Sequence, residues 1–127
     1  MTGPTTSRTI AIIGGTGPAG MGLALRWARA GETIIIGSRD AARAQQSAEA
    51  IRQRVGRTLL SAPASITGQE NSAACAASDL LMLTVPFAGQ AALLKELKPA
   101  IRPGSILIDA TVPLAVSVGG RSTRTIG

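Results

Sequence analysis

The chain has 127 residues, 45% of them hydrophobic, with 13 Lys and Arg against 7 Asp and Glu, for a net charge of +6. That length suits one domain with its own core, and the apolar share excludes a disordered chain. One cysteine, no histidine and no tyrosine exclude a disulfide framework, a Cys-rich zinc site and any mechanism that takes a His base or a Tyr acid from this chain.

The elements alternate along the chain. Thr9–Ile13 is a short β-branched run that reads as a strand buried on both faces. Glycines follow at 14, 15, 17 and 20, and Met21 to Ala30 then carries Leu23, Trp27 and Ala30 at helical spacing, with Gly31 as its stop. Thr33–Ile36 is a second strand. Asp40 is placed to cap a long helix from Ala41 to Arg54, and Val55 to Pro63 reads as a looser connection. A short third strand is expected at Ser65–Thr67, then a small-sided helix from Asn71 to Ala77. Asp79 to Val85 is a buried strand stopped by Pro86. Phe87 to Leu97 is helical up to Pro99, and Ser105 to Asp109 is a fifth strand, followed by Thr111-Val112-Pro113. Strands alternating with helices imply βαβ units and a parallel sheet. The expected fold is therefore α/β, a doubly wound Rossmann-type sheet in three αβα layers, ordered 3-2-1-4-5. A flexible tail is expected over residues 1–8, the domain over 9–118, and a flexible end over 119–127 where a longer protein is cut.

Gly15-Thr16-Gly17-Pro18-Ala19-Gly20 matches G-x-G-x-x-G in the context that gives the pattern weight: after a buried strand and at the opening of a helix. Gly15 permits the tight turn, Gly17 lets a pyrophosphate approach the backbone, and Gly20 lets the helix pack closely. The free N–H groups of the helix start attract phosphate, Pro18 suits the first helical turn, and Thr16 has a hydroxyl to donate. The rival readings are a ligand-free turn and a methyltransferase loop. Four glycines in seven residues weigh against the first.

NAD binders place an acid at the end of the second strand for the ribose 2′-hydroxyl. Here Ser38 and Arg39 stand there instead, with Arg43 one helical turn on. A hydroxyl and two guanidinium groups match a 2′-phosphate, so the loop should take NADP(H). The alternative for Arg39 and Arg43 is a solvated helix start. Of the 13 basic residues 11 are Arg, but they are scattered, and Trp27 and Phe87 are the only aromatics, so no nucleic-acid partner is expected. No run approaches the length of a membrane span and no signal peptide is visible, so no membrane partner is expected and the expected compartment is the cytoplasm. Cys75 reads as a buried small hydrophobe, and Asp109 as a turn residue.

Ile12 to Gly17, Gly22 to Arg26, Ile36 to Arg39, Ser65 to Gly68, Leu83 to Phe87 and Thr111 to Leu114 together resemble the NADPH-dependent F420 reductase family, also called F420H2:NADP oxidoreductases, in order and spacing over residues 9 to 115. The resemblance implies an NADP-binding Rossmann domain in which Thr16 to Ala19 hold the pyrophosphate. Ser38, Arg39 and Arg43 would hold the 2′-phosphate. Val85 and Val112, beside Pro86 and Pro113, would lie along the nicotinamide, with the deazaflavin of coenzyme F420 stacked on it. The implied reaction is hydride transfer between the two cofactors, which needs no protein acid or base, so no catalytic side chain and no metal is expected. Members of the family carry a further segment beyond the last turn, which helps form the F420 site and the contacts of a homodimer. The alternatives are a non-catalytic NADP(H)-binding or regulatory module, and a ferric or flavin reductase on the same domain.

Overall fold

A computed structural model of the chain describes residues 8–56 and 65–111. Five parallel strands form one sheet: β1 (Thr9–Ile13), β2 (Thr33–Ser38), β3 (Ile66–Glu70), β4 (Leu80–Leu83) and β5 (Ile106–Asp109). Their spatial order is β3-β2-β1-β4-β5, the doubly wound order expected. Four helices connect them: α1 (Pro18–Arg29), α2 (Ala41–Val55), α3 (Asn71–Ala76) and α4 (Phe87–Leu97), the last followed by a 3₁₀ turn over Lys98–Ala100.

The side-chain period of a strand sends neighbours to opposite faces, and β1 uses this to build two cores. Ile12 faces α1 and α2, where it joins Ile34, Ile36, Ala24 and Ala28. Helix α2 adds Ala44, Ala48, Ile51 and Val55, an i, i+4, i+7, i+11 stripe, and Trp27 packs against the edge of this cluster. Ala11 and Ile13 face the other way, onto α3 and α4, with Ile35, Leu81, Leu83, Leu93, Leu97 and the buried Cys75. Small residues bring the layers close. A Cβ at Gly68 would lie 2.2 Å from the carbonyl carbon of Ala44, so α2 sits directly on β3.

The helix ends follow local chemistry. Asp40 caps α2 by accepting from the Ala42 N–H at 2.9 Å. Helix α1 closes in a Schellman turn, with Gly31 at φ +86°, its N–H on the Ala28 carbonyl and the Glu32 N–H on that of Trp27.

Four boundaries differ from the sequence reading by two residues or more. Helix α1 begins at Pro18 rather than Met21, because proline supplies a helical φ at N1 and needs no N–H there. Strand β2 runs on to Ser38, and β3 to Glu70, because Gly37 and Ser38 pair with Gln69 and Glu70. Strand β4 stops at Leu83, because the Thr84 N–H makes the last ladder bond, to the Ile13 carbonyl at 3.1 Å, and β1 turns away at Gly14. The edge strand β5 is exposed along its whole length, including Ile106, Leu107 and Ile108. The expected tail, the chain end, Val112 and Pro113 lie outside the described residues.

Candidate functional site

In a parallel sheet all strands end on one edge, and ligands of open α/β folds bind there. A cavity of about 780 Å³ lies along this edge, of a size that holds a small ligand or cofactor. Each of the five strands contributes its last residue or one just beyond it: Gly14, Ser38, Asn71, Thr84 and Ala110 all line the cavity.

The glycine loop forms one wall through Thr16, Gly17, Pro18 and Ala19. Its shape comes from glycines with distinct tasks. Gly14, which G-x-G-x-x-G does not include, takes the left-handed conformation, at φ +71°, and a Cβ there would stand 2.4 Å from Val85 Cγ1. Gly15 and Gly20 do not line the cavity; they pack on each other. A Cβ at Gly20 would meet the Gly15 Cα at 2.6 Å, and one at Gly15 would meet the Ile12 carbonyl oxygen at 2.8 Å. Gly15 also donates its N–H to the Gly37 carbonyl at 2.9 Å, tying the loop to β2. At Gly17 a Cβ would meet only open space, so this residue leaves room for a ligand rather than for protein. Gly17 is the N-cap of α1, which has no side-chain cap and no acid in its first turn. Its first N–H groups therefore stay available to an anion.

Past β2 the wall is formed by Ser38, Arg39 and Arg43. Ser38 is buried, and its Oγ accepts from the Asp40 N–H at 3.2 Å. Both arginines are exposed, and among the described residues neither has an ion-pair partner, the bridges there being Arg52–Glu49 and Arg102–Asp79. Among the described residues Arg39 and Arg43 are the only charged ones that line the cavity, which leaves that end cationic; Glu70 and Glu96 line a neighbouring pocket that Arg39 also borders. Asp40 faces the Ala42 amide as a helix cap.

The opposite end is more apolar. Val85, Pro86 and Phe87 line it where β4 gives way to α4, facing Thr111 past β5. Asp109 forms a turn here. Its carboxylate accepts from the Thr111 N–H at 2.8 Å and from Gln90 Nε2. Thr111, and then Gln90, hold its carboxyl below the ordinary value. An acid stabilised in its charged form and exposed at the rim is a poor proton donor at neutral pH. Burial pushes the Cys75 thiol upward, away from thiolate chemistry. Among the described residues no group of three His, Cys, Asp or Glu could hold a metal ion, and no helix is long and apolar enough to cross a membrane.

The cavity thus brings together Thr16, Gly17, Pro18, Ala19, Ser38, Arg39, Arg43, Val85 and Pro86 that the sequence singled out, while Gly15 and Gly20, also expected to bind the cofactor, shape the loop from behind. The sequence reading missed Gly14 and Asn71. Asn71 Oδ1 accepts the Gly14 N–H at 3.2 Å across 57 residues of chain. The available signal was positional: the first residue past any strand of a parallel sheet faces the ligand edge.

The model of the family described as NADP oxidoreductase, coenzyme F420-dependent, matches residues 9–113. The chain belongs to this family. F420-dependent NADP reductases of Methanothermobacter thermautotrophicus and Methanocaldococcus jannaschii are 44% and 37% identical to it over 117 residues, 92% of this chain. The chain spans about half the length of these relatives, 48% and 51%. Among solved structures, lactate dehydrogenases of Cryptosporidium parvum and Eimeria maxima superpose at a TM-score of 0.71, with 93% of this chain and 40% of theirs covered. At 20% and 14% identity they share the fold. In this member of the family the glycine loop, the Ser38-Arg39 turn and the Val85-Pro86 turn meet at one sheet edge.

Proposed function

We propose that this chain is the NADP(H)-binding part of an F420-dependent NADP reductase, with the dinucleotide lying along the strand ends from Arg43 to Val85. The observation that carries the proposal is the polarity of the cavity: a cationic end at Ser38, Arg39 and Arg43, an uncapped helix N-terminus in the middle, and an apolar end at Val85, Pro86 and Phe87. That sequence of surfaces matches a 2′-phosphate, a pyrophosphate and a nicotinamide in order. The open space in front of Gly17 fits the group that belongs in the middle.

Each residue then has one task. Arg39 and Arg43 pair with the phosphate that distinguishes NADP from NAD. The amides of the α1 N-terminus and the Thr16 hydroxyl hold the pyrophosphate. Val85 and Pro86 present an apolar bed to the nicotinamide and keep water from it. When both are bound, NADP(H) and coenzyme F420 supply the hydride chemistry between themselves. No side chain is needed to move a proton. The proposal includes a cytoplasmic homodimer, a compartment in which the lone thiol of Cys75 stays reduced.

Calorimetric titration with NADPH, then NADH, then F420 added to the NADPH complex tests this. Tight NADPH and weak NADH, followed by F420 binding, is the expected result. Equal affinity for the two nucleotides refutes the 2′-phosphate assignment, and no binding of either refutes the NADP(H) site.

A further inference from the structure

Asn71 begins α3 at the end of β3 and is 94% buried, with a relative exposure of 6%. Its Oδ1 is wedged where two strands end: it accepts the Gly14 N–H, and a Cβ at Gly37 would stand 2.7 Å from it. This contact also orients the amide. The Gly14 N–H can donate only to the carbonyl oxygen, so the nitrogen must be the other end. Among the described residues the Nδ2 donors meet no protein acceptor. Nor is that nitrogen sealed off, because the one enclosed side-chain atom there without a partner is Ser78 Oγ. The side chain is thus buried and held at one end, its donor end is free, and the residue lines both this cavity and a neighbouring pocket beside Ser38 and Arg39.

Its place indicates what it meets. Gly14 leads into the pyrophosphate loop, and Ser38 leads into the 2′-phosphate cluster. The piece of a dinucleotide that spans the gap between them is the adenosine ribose with its 5′-phosphate, a group rich in acceptor oxygens. We propose that Asn71 is a cofactor-positioning residue: Oδ1 fixes Gly14, and Nδ2 donates to an oxygen of the adenosine ribose-phosphate. The inference rests on the NADP(H) reading above. It differs from it in predicting a contact blind to the 2′-phosphate, because the ribose-phosphate is common to NADP and NAD.

Asn71→Asp separates the two ends of the side chain. The carboxylate keeps the acceptor for Gly14 and nearly the same shape, but it loses both donors and adds negative charge. The melting temperature without nucleotide, and the affinities for NADP+ and NAD+, are measured for the parent and the variant. The expected result is a melting temperature close to the parent's and affinities for both nucleotides weakened about tenfold or more, by the same factor. Burial at this position disfavours the charged carboxylate and raises its pKa, so as pH falls from about 8 to about 5 the deficit should shrink, since a protonated carboxyl regains a donor. A purely structural role would give no such recovery. An Asp variant that binds both nucleotides as the parent does overturns the inference, and so does a loss confined to NADP+, which would put the amide on the 2′-phosphate. If the Asp variant does not fold, Asn71→Ala replaces it: the expected result is an equal loss for both nucleotides, and parent-like binding by the folded variant overturns the inference. A parent that binds neither nucleotide overturns the NADP(H) reading together with this inference.

Discussion

Alanine at Gly14 measures how tightly the loop is fixed. Two costs act together. At φ +71° a Cβ strains the backbone, by about 1–2 kcal/mol for a left-handed residue. The same Cβ would stand 2.4 Å from Val85 Cγ1, and relieving that overlap in a packed region costs about 1–3 kcal/mol. Gly14→Ala should therefore destabilise by about 2–5 kcal/mol, a fall in Tm of roughly 10 °C or more for a domain of this size. The two costs can be separated. Val85→Ala deletes Cγ1, and the next atoms the new Cβ would meet, Val85 Cβ and N, lie at 3.6 Å, ordinary contact. In the Val85→Ala background Gly14→Ala should thus retain only the backbone cost. Urea denaturation of the parent, both single variants and the double variant gives the cycle. The expected coupling is about 1–3 kcal/mol, favouring the double variant. A cost for Gly14→Ala that is the same in both backgrounds, within about 0.5 kcal/mol, refutes the steric argument. A cost below about 0.5 kcal/mol in the parent background refutes the backbone argument as well.

Arg39→Ala should weaken NADPH by about 1–3 kcal/mol and leave NADH nearly unchanged, as calorimetry will show. Gly68→Ala should cost about 3 kcal/mol or more in a denaturant titration, because its Cβ would meet the backbone of Ala44, which cannot rotate away as a side chain can. Cys75 should react slowly with a chromogenic thiol reagent until urea is added. Burial raises its pKa above the ordinary thiol value of about 9, so the fold favours the neutral thiol. That contribution is complete below the unfolded pKa and is lost as pH rises through the folded one, so stability should decline on the alkaline side.

The sheet order was legible because β1, β2 and β4 are apolar runs separated by helical periods, and the right-handed crossover rule leaves few ways to join them. The cap at Asp40 and the span of α4 were legible for local reasons. What was not legible depends on distant partners. Gly68, Gln69 and Glu70 have no strand character of their own; they are extended because β2 pairs with them and α2 rests on Gly68. The motif gave the open space at Gly17 and the close packing at Gly20, but not the task of Gly14, since Val85, 71 residues away, decides why position 14 has no side chain. Asn71 looked like an ordinary helix start because its hydrogen bond to Gly14 spans the chain.

Arg39 and Arg43 stand outside both apolar clusters, on one short exposed stretch after β2. The core does not depend on their charge. On the proposed reading, the choice between two nucleotides is then a detachable trait: the preference for one cofactor over the other can drift, or be engineered, while the sheet, the glycine loop and the apolar end of the cavity stay as they are.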